Sequence, residues 1–166
     1  TRKYDADGNE LWTRQFGSSN SDTALEAATD GSGVYVAGTT FAALPGQISA
    51  GEEDAYVRKY DPSGNVLWTR QFGSAVSEAD TAVAANSSGV YVSGTTDGAL
   101  PGQVNGPFTD GYLRKYDANG SELWTRQFGS AGSFAVDTAT GVAVDFSGVY
   151  VGGATQGEFQ GQTSTG

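Results

Sequence analysis

Asp54-Ala55-Tyr56-Val57-Arg58-Lys59-Tyr60-Asp61-Pro62-Ser63-Gly64-Asn65-Val66-Leu67-Trp68-Thr69-Arg70-Gln71-Phe72-Gly73 decides the fold. Ala55–Tyr60 is rich in β-formers and runs into Asp61–Asn65, a cluster of turn residues. Val66–Phe72 follows and closes at Gly73, so the stretch reads as a β-hairpin. The same hairpin stands at Tyr4–Gly17 and again at Tyr116–Gly129. Trp12, Trp68 and Trp124 recur every 56 residues.

A second hairpin alternates with the first. It is clearest at Thr140–Val144, Asp145-Phe146-Ser147-Gly148 and Val149–Gly153, and Gly33-Val34-Tyr35-Val36 and Gly89-Val90-Tyr91-Val92 are its earlier copies. Copies one and two align without a gap, and copy three carries three extra residues between Phe128 and Asp145. Ala24-Leu25-Glu26-Ala27-Ala28 alone has helical propensity, but its aligned partners are strand-like and glycine-bearing, so it too is read as strand.

The expected fold is therefore all-β, with four short strands per repeat of about 56 residues, as in a propeller blade. The repeats, 1–56, 57–112 and 113–166, fill one propeller segment of three blade-equivalents with no linker between them. A lone blade cannot keep both faces dry, so the sheets must press flank to flank. Period-two alternation puts Trp68, Arg70 and Phe72 on one face, with the aromatics expected between blades and Arg on an aromatic ring. Each repeat also carries one Arg-Lys pair (Arg2-Lys3, Arg58-Lys59, Arg114-Lys115), expected to pair with acidic turns of a neighbouring blade.

These motifs resemble the bacterial beta-propeller repeat (SBBP) family, which is itself similar to the NHL class of propellers. The resemblance rests on Asp54–Asp61, Gly64-Asn65, Leu67–Gly73 and Gly89–Thr96. It implies a propeller in which the Val-Tyr-Val strand is second in its blade, carried on secreted or cell-surface bacterial proteins and without shared catalytic residues. Some NHL-like propellers are lyases that use histidines, often around a metal; this chain has no histidine. In that phase the chain runs half-blade, two blades, half-blade, and three blades are fewer than the four to eight of closed propellers. The missing flanks are expected from neighbouring blades of a longer chain or from self-association into six blades.

Composition narrows the chemistry. With no Cys, Met or His there is no disulfide, thiolate zinc site, cysteine nucleophile or Ser-His-Asp triad. Nineteen Asp and Glu against nine Lys and Arg give a net charge of −10, which disfavours nucleic acid. No apolar run approaches the ~20 residues of a membrane helix, so no membrane insertion is expected. Carboxylate pairs such as Glu52-Glu53 could serve a glycosidase, but nothing in the sequence sets two across a cleft.

Two groups of residues remain as candidate sites. The alternating oxygens of Asp5, Asp7 and Asn9, with weaker copies at Asp61 and Asn65 and at Asp117 and Asn119, admit a short calcium loop. The competing reading is a plain hairpin turn. Binding of a protein or glycan is expected on the rim formed by the longer loops, 39–53, 95–109, 17–23 and 129–137. Phe41, Gln47, Gln103, Phe108, Phe134, Phe159 and Gln162 lie there, while Leu44-Pro45 and Leu100-Pro101 offer to pin the loops to the blade. The expected function is a non-enzymatic scaffold, adhesion or protein-interaction module; the alternatives are a lectin-like propeller and the building block of an extracellular fibre.

Overall fold

The computed structural model describes residues 1–130, 135–159 and 161–163, and Phe134 of the candidate rim lies outside them. The described residues form twelve strands: β1 Arg2–Tyr4, β2 Glu10–Thr13, β3 Asp22–Thr29, β4 Val34–Thr40, β5 Asp54–Tyr60, β6 Val66–Phe72, β7 Glu78–Asn86, β8 Gly89–Thr96, β9 Asp110–Tyr116, β10 Glu122–Phe128, β11 Asp137–Val144 and β12 Val149–Thr155. Among them there is no helix. The alanine-rich stretch 24–28 is strand, as its aligned copies require.

The strands make two complete four-stranded antiparallel sheets, β3-β4-β5-β6 and β7-β8-β9-β10, flanked by two-stranded sheets β1-β2 and β11-β12. The Val-Tyr-Val strand is second in each complete sheet. Register is copied between sheets: Tyr35 faces Lys59 and Val36 faces Arg58, as Tyr91 faces Lys115 and Val92 faces Arg114. The blades run out of phase with the repeat as first written, since residues 57 and 113 fall inside β5 and β9.

The sheets radiate. The first strands of successive sheets lie together, β7 against β3 and β11 against β7, and β7 then packs on β4 and more thinly on β5. Side-chain size explains the divergence. The inner strands read DTALEAAT, EADTAVAAN and DTATGVAV, while the outer strands carry Leu-Trp-Thr-Arg-Gln-Phe. Small residues let the sheets approach at the axis, and the widening gap outside is filled by the largest side chains. The main buried cluster lies between the two complete sheets and includes Tyr35, Trp68, Phe72, Val90, Val92, Tyr112 and Tyr116.

A repeated lock joins β1-β2 to β3-β6 and β3-β6 to β7-β10. Trp12 Nε1 donates to Pro62 O (3.1 Å) and Arg14 Nε to Gly64 O (2.6 Å). One sheet on, Trp68 Nε1 donates to Ala118 O (3.1 Å) and Arg70 Nε to Gly120 O (2.7 Å). Lys3 Nζ donates to Pro62 O and Lys59 Nζ to Ala118 O. The turns thus accept the neighbour's cations through backbone carbonyls, not through the acidic side chains the sequence suggested. Carboxylate ion pairs among the described residues are Arg2–Glu10 and Arg114–Glu122, each within one hairpin.

The aromatic expectations hold. Phe72 meets Tyr112 edge-on at 5.6 Å, Arg114 lies 4.1 Å over Phe72, and Arg58 lies 3.8 Å over Phe16. Each such pair adds to the 150–250 Å² that a buried aromatic removes from water.

Candidate functional site

The long-loop rim is a built surface. The loop leaving β4 and the loop between β6 and β7 run side by side: Glu52 N donates to Val76 O (3.1 Å) and Glu78 N to Glu53 O (2.8 Å). Gly51 sits so close that a Cβ there would meet Ser74 O and Val76 O at 2.5 Å, and one on Gly98 would meet Ser74 Oγ at 2.7 Å. The connections of both blades therefore share one rim, as antiparallel topology demands.

One glutamine per blade fixes the long loop. Gln71, on β6, accepts from Leu44 N at Oε1 (2.8 Å) and donates from Nε2 to Ala42 O (3.2 Å) and Asp54 Oδ2 (2.7 Å). Gln127, on β10, repeats this with Leu100 N, Gly98 O and Asp110 Oδ2, and also reaches Asn105 Oδ1. Leu44 and Leu100 are buried beneath the loops. Gln47 and Gln103, read from the sequence as ligand contacts, each turn Oε1 inward to the backbone N–H of Gln71 or Gln127 (3.1 Å) and donate from Nε2 to the preceding glycine's carbonyl. Their polar atoms serve the loop.

The outward face is apolar. Phe41 and Phe108 are exposed, and Ile48 and Val104, at equivalent positions in the two blades, are 86 % and 87 % exposed. Sequence reasoning missed Ile48 and Val104; the signal was an apolar residue after Pro-Gly-Gln in both copies. Phe159 and Gln162 lie apart from these two loops, beyond β12, where Gln162 N donates to Phe159 O and a groove of about 580 Å³ runs past Thr155 and Glu158.

The calcium candidates lie on the opposite rim. Asp5 Oδ1 accepts from Asp7 N and Asn9 N, and Oδ2 accepts from Asn9 Nδ2 (2.9–3.0 Å). Asp61 repeats this with Ser63 N and Asn65, and Asp117 Oδ1 accepts from Asn119 N and Ser121 N. These bonds hold all three carboxylates below the usual range, led at Asp5 and Asp61 by the asparagine side chain and at Asp117 by the Ser121 N–H. Among the described residues no three His, Cys, Asp or Glu side chains gather in one place. Asp7 and Asn119 enter the bonding through their backbone N–H groups.

Buried carboxylates occur elsewhere, at the junctions between blades. Glu78 accepts from Ser74 N, Ser74 Oγ and Thr96 Oγ1 (2.7–2.9 Å), and Asp137 accepts from Ser130 N and Oγ. A Cβ on Gly73 would touch both Glu78 and Asp54, so two carboxylates share that junction. Burial pushes the Glu78 carboxyl above its ordinary range, against the pull of its hydrogen bonds.

With this geometry in view, residues 123–160 match the family described as Beta-propeller repeat, SBBP. That match supports the family resemblance carried by the repeats. The matched SBBP repeat spans β10 to β12, the outer strand of one blade and the inner pair of the next. The chain is also similar to the Regulatory protein FlaEY of Caulobacter vibrioides, 33 % identical over 132 residues. That similarity covers 74 % of this chain and 14 % of the relative's length.

Proposed function

We propose that this SBBP segment is a non-enzymatic interaction module that binds a partner protein through its long-loop rim, in a secreted or cell-surface bacterial protein. The observation that carries the reading is the pair Ile48 and Val104, nearly fully exposed at equivalent places on loops held rigid by Gln71 and Gln127. Exposed apolar groups on a fixed frame lose water on docking without an ordering cost. Phe41 and Phe108 extend the apolar surface of the same loops. The relative's name, a regulatory protein, is compatible with binding rather than catalysis.

A glycan is the second reading, supported by the exposed rings of Phe41, Phe108 and Phe159. Sugar recognition wants polar side chains beside such rings, and those of Gln47 and Gln103 bond within their own loops, so we favour protein. The test pairs a glycan array with affinity capture from the source bacterium. The I48S/V104S double variant should lose the captured partner while remaining folded. Capture unchanged in that variant would refute the rim, and glycan binding lost on Phe41→Ala or Phe108→Ala would establish the lectin. Fractionation of the full-length protein tests location; a purely cytoplasmic product refutes the surface assignment.

A further inference from the structure

We propose that the long-loop rim selects a protein segment with basic side chains around an apolar stripe, its cations facing Glu52, Glu53 and Asp97 while its apolar groups cover Ile48 and Val104. The inference rests on the rim being the binding surface and adds the chemistry of the partner.

Charge is segregated between the two rims. Every Lys and Arg of the chain lies on β1, β5, β6, β9 or β10, or directly after β2. Their hydrogen bonds to the neighbouring blade lead to the tight-turn rim: Arg14 and Lys3 reach Gly64 O and Pro62 O, and Arg70 and Lys59 reach Gly120 O and Ala118 O. The long-loop connections 39–53, 73–77 and 95–109 hold no cation. They carry Glu52 and Asp97, both exposed, and Glu53, half-buried.

The charge beneath these loops has the same sign. Asp54, Asp110 and Asp137 are buried. Their described donors are neutral: backbone N–H groups, the Ser130 hydroxyl and the amides of Gln71 and Gln127. The carboxylate ion pairs of the described residues, Arg2–Glu10 and Arg114–Glu122, lie in hairpins away from them. Neutral donors fix a carboxylate without cancelling its charge, and its field reaches further through protein than through water.

The apolar groups of the two loops are joined by the connection between β6 and β7. Val76 O accepts from Glu52 N (3.1 Å), and a Cβ on Gly98 would meet Val76 Cγ2 at 2.7 Å. Val76 is itself 37 % exposed. The surface is therefore apolar with an acidic border drawn from both blades. An acidic partner would set like charges against that border, and a purely cationic one would leave Ile48 and Val104 in water. A basic amphipathic segment meets both demands.

Three synthetic peptides of equal length test this by calorimetry on the intact 166-residue protein: an amphipathic leucine-lysine peptide, its leucine-glutamate counterpart and a serine-lysine peptide. The leucine-lysine peptide should bind at least about tenfold more tightly than either control, with an affinity that falls as salt rises from about 0.05 to 0.5 M. Glu52→Lys should weaken it about fivefold or more, whereas Asp7→Lys, the same charge change on an exposed residue of the opposite rim, should weaken it less than about twofold. The I48S/V104S variant should abolish binding. Equal affinity for the leucine-glutamate peptide, unchanged affinity in E52K, or no binding of the leucine-lysine peptide overturns the basic partner and leaves the apolar rim standing. Equal affinity for the serine-lysine peptide, or unchanged binding by I48S/V104S, overturns the rim reading and this inference with it.

Discussion

The indole of Trp68 lies flat against Gly120 of the next blade, where a Cβ would come 2.7 Å from Trp68 Cδ2, and Gly120 holds φ at +79°. Both conditions select glycine, and both come from one event, the seating of a large ring on a tight turn.

Gly120→Ala should therefore cost more than Gly8→Ala. Each pays about 1–2 kcal/mol for a left-handed L-residue, and Gly120→Ala adds about 1–3 kcal/mol of overpacking. Urea unfolding of the two variants checks the difference; equal losses would show that Trp68 yields freely.

Gln71→Ala should free the rim loop before it unfolds the blade. It removes three side-chain hydrogen bonds at roughly 1 kcal/mol each and strips Asp54 of a donor. Hydrogen exchange should show lost protection at Leu44 N with β5 still protected. Uniform loss across the blade would mean the loop has no separate stability.

Glu78→Gln probes the shared carboxylate junction. The folded-state pKa of Glu78 is raised by burial, so the folded protein binds this proton more tightly than the unfolded chain does. That contribution is full below the ordinary Glu value and is lost as pH rises through the folded pKa. Stability of the wild type relative to E78Q should fall as pH rises from the ordinary Glu range through the raised folded-state value. A difference in thermal melts that does not change with pH would contradict the raised pKa.

Asp61→Ala removes three turn hydrogen bonds and loosens the seat of Trp12, lowering the melting temperature. Turn closure alone makes the loss independent of calcium. A melting temperature that calcium raises in the wild type but not in D61A would instead make these turns cation sites.

The I48S/V104S variant should change unfolding free energy by no more than about 0.5 kcal/mol, as exposed positions do, while abolishing partner capture. A larger stability loss would place these side chains in the packing of the rim.

The strands and blade phase were legible because three copies vote on each position. The helical bias of Ala24–Ala28 was outweighed by the glycine at 141 and the alternation around Val142. Pairing of Trp, Phe and Arg across blades followed from period two. The polar contacts were not legible. Gln47 looked like a ligand contact because sequence does not show that its Oε1 meets the N–H of Gln71, 24 positions away. Lys59 has acidic turn residues in every copy, yet its amine reaches Ala118 O, because the turn points carbonyls at that face.

Repetition, absence of cysteine and histidine, and alternating aromatics by themselves determined an all-β repeat of four-stranded units that must lean on one another. These are properties of period and composition, and short-range chemistry enforces them. Only the tertiary structure decided which glycine seats which tryptophan, which carboxylates share a junction and which apolar side chains remain in water. Those outcomes depend on distances between residues about fifty positions apart, set when small inner strands draw the sheets together and wide outer gaps admit the rings.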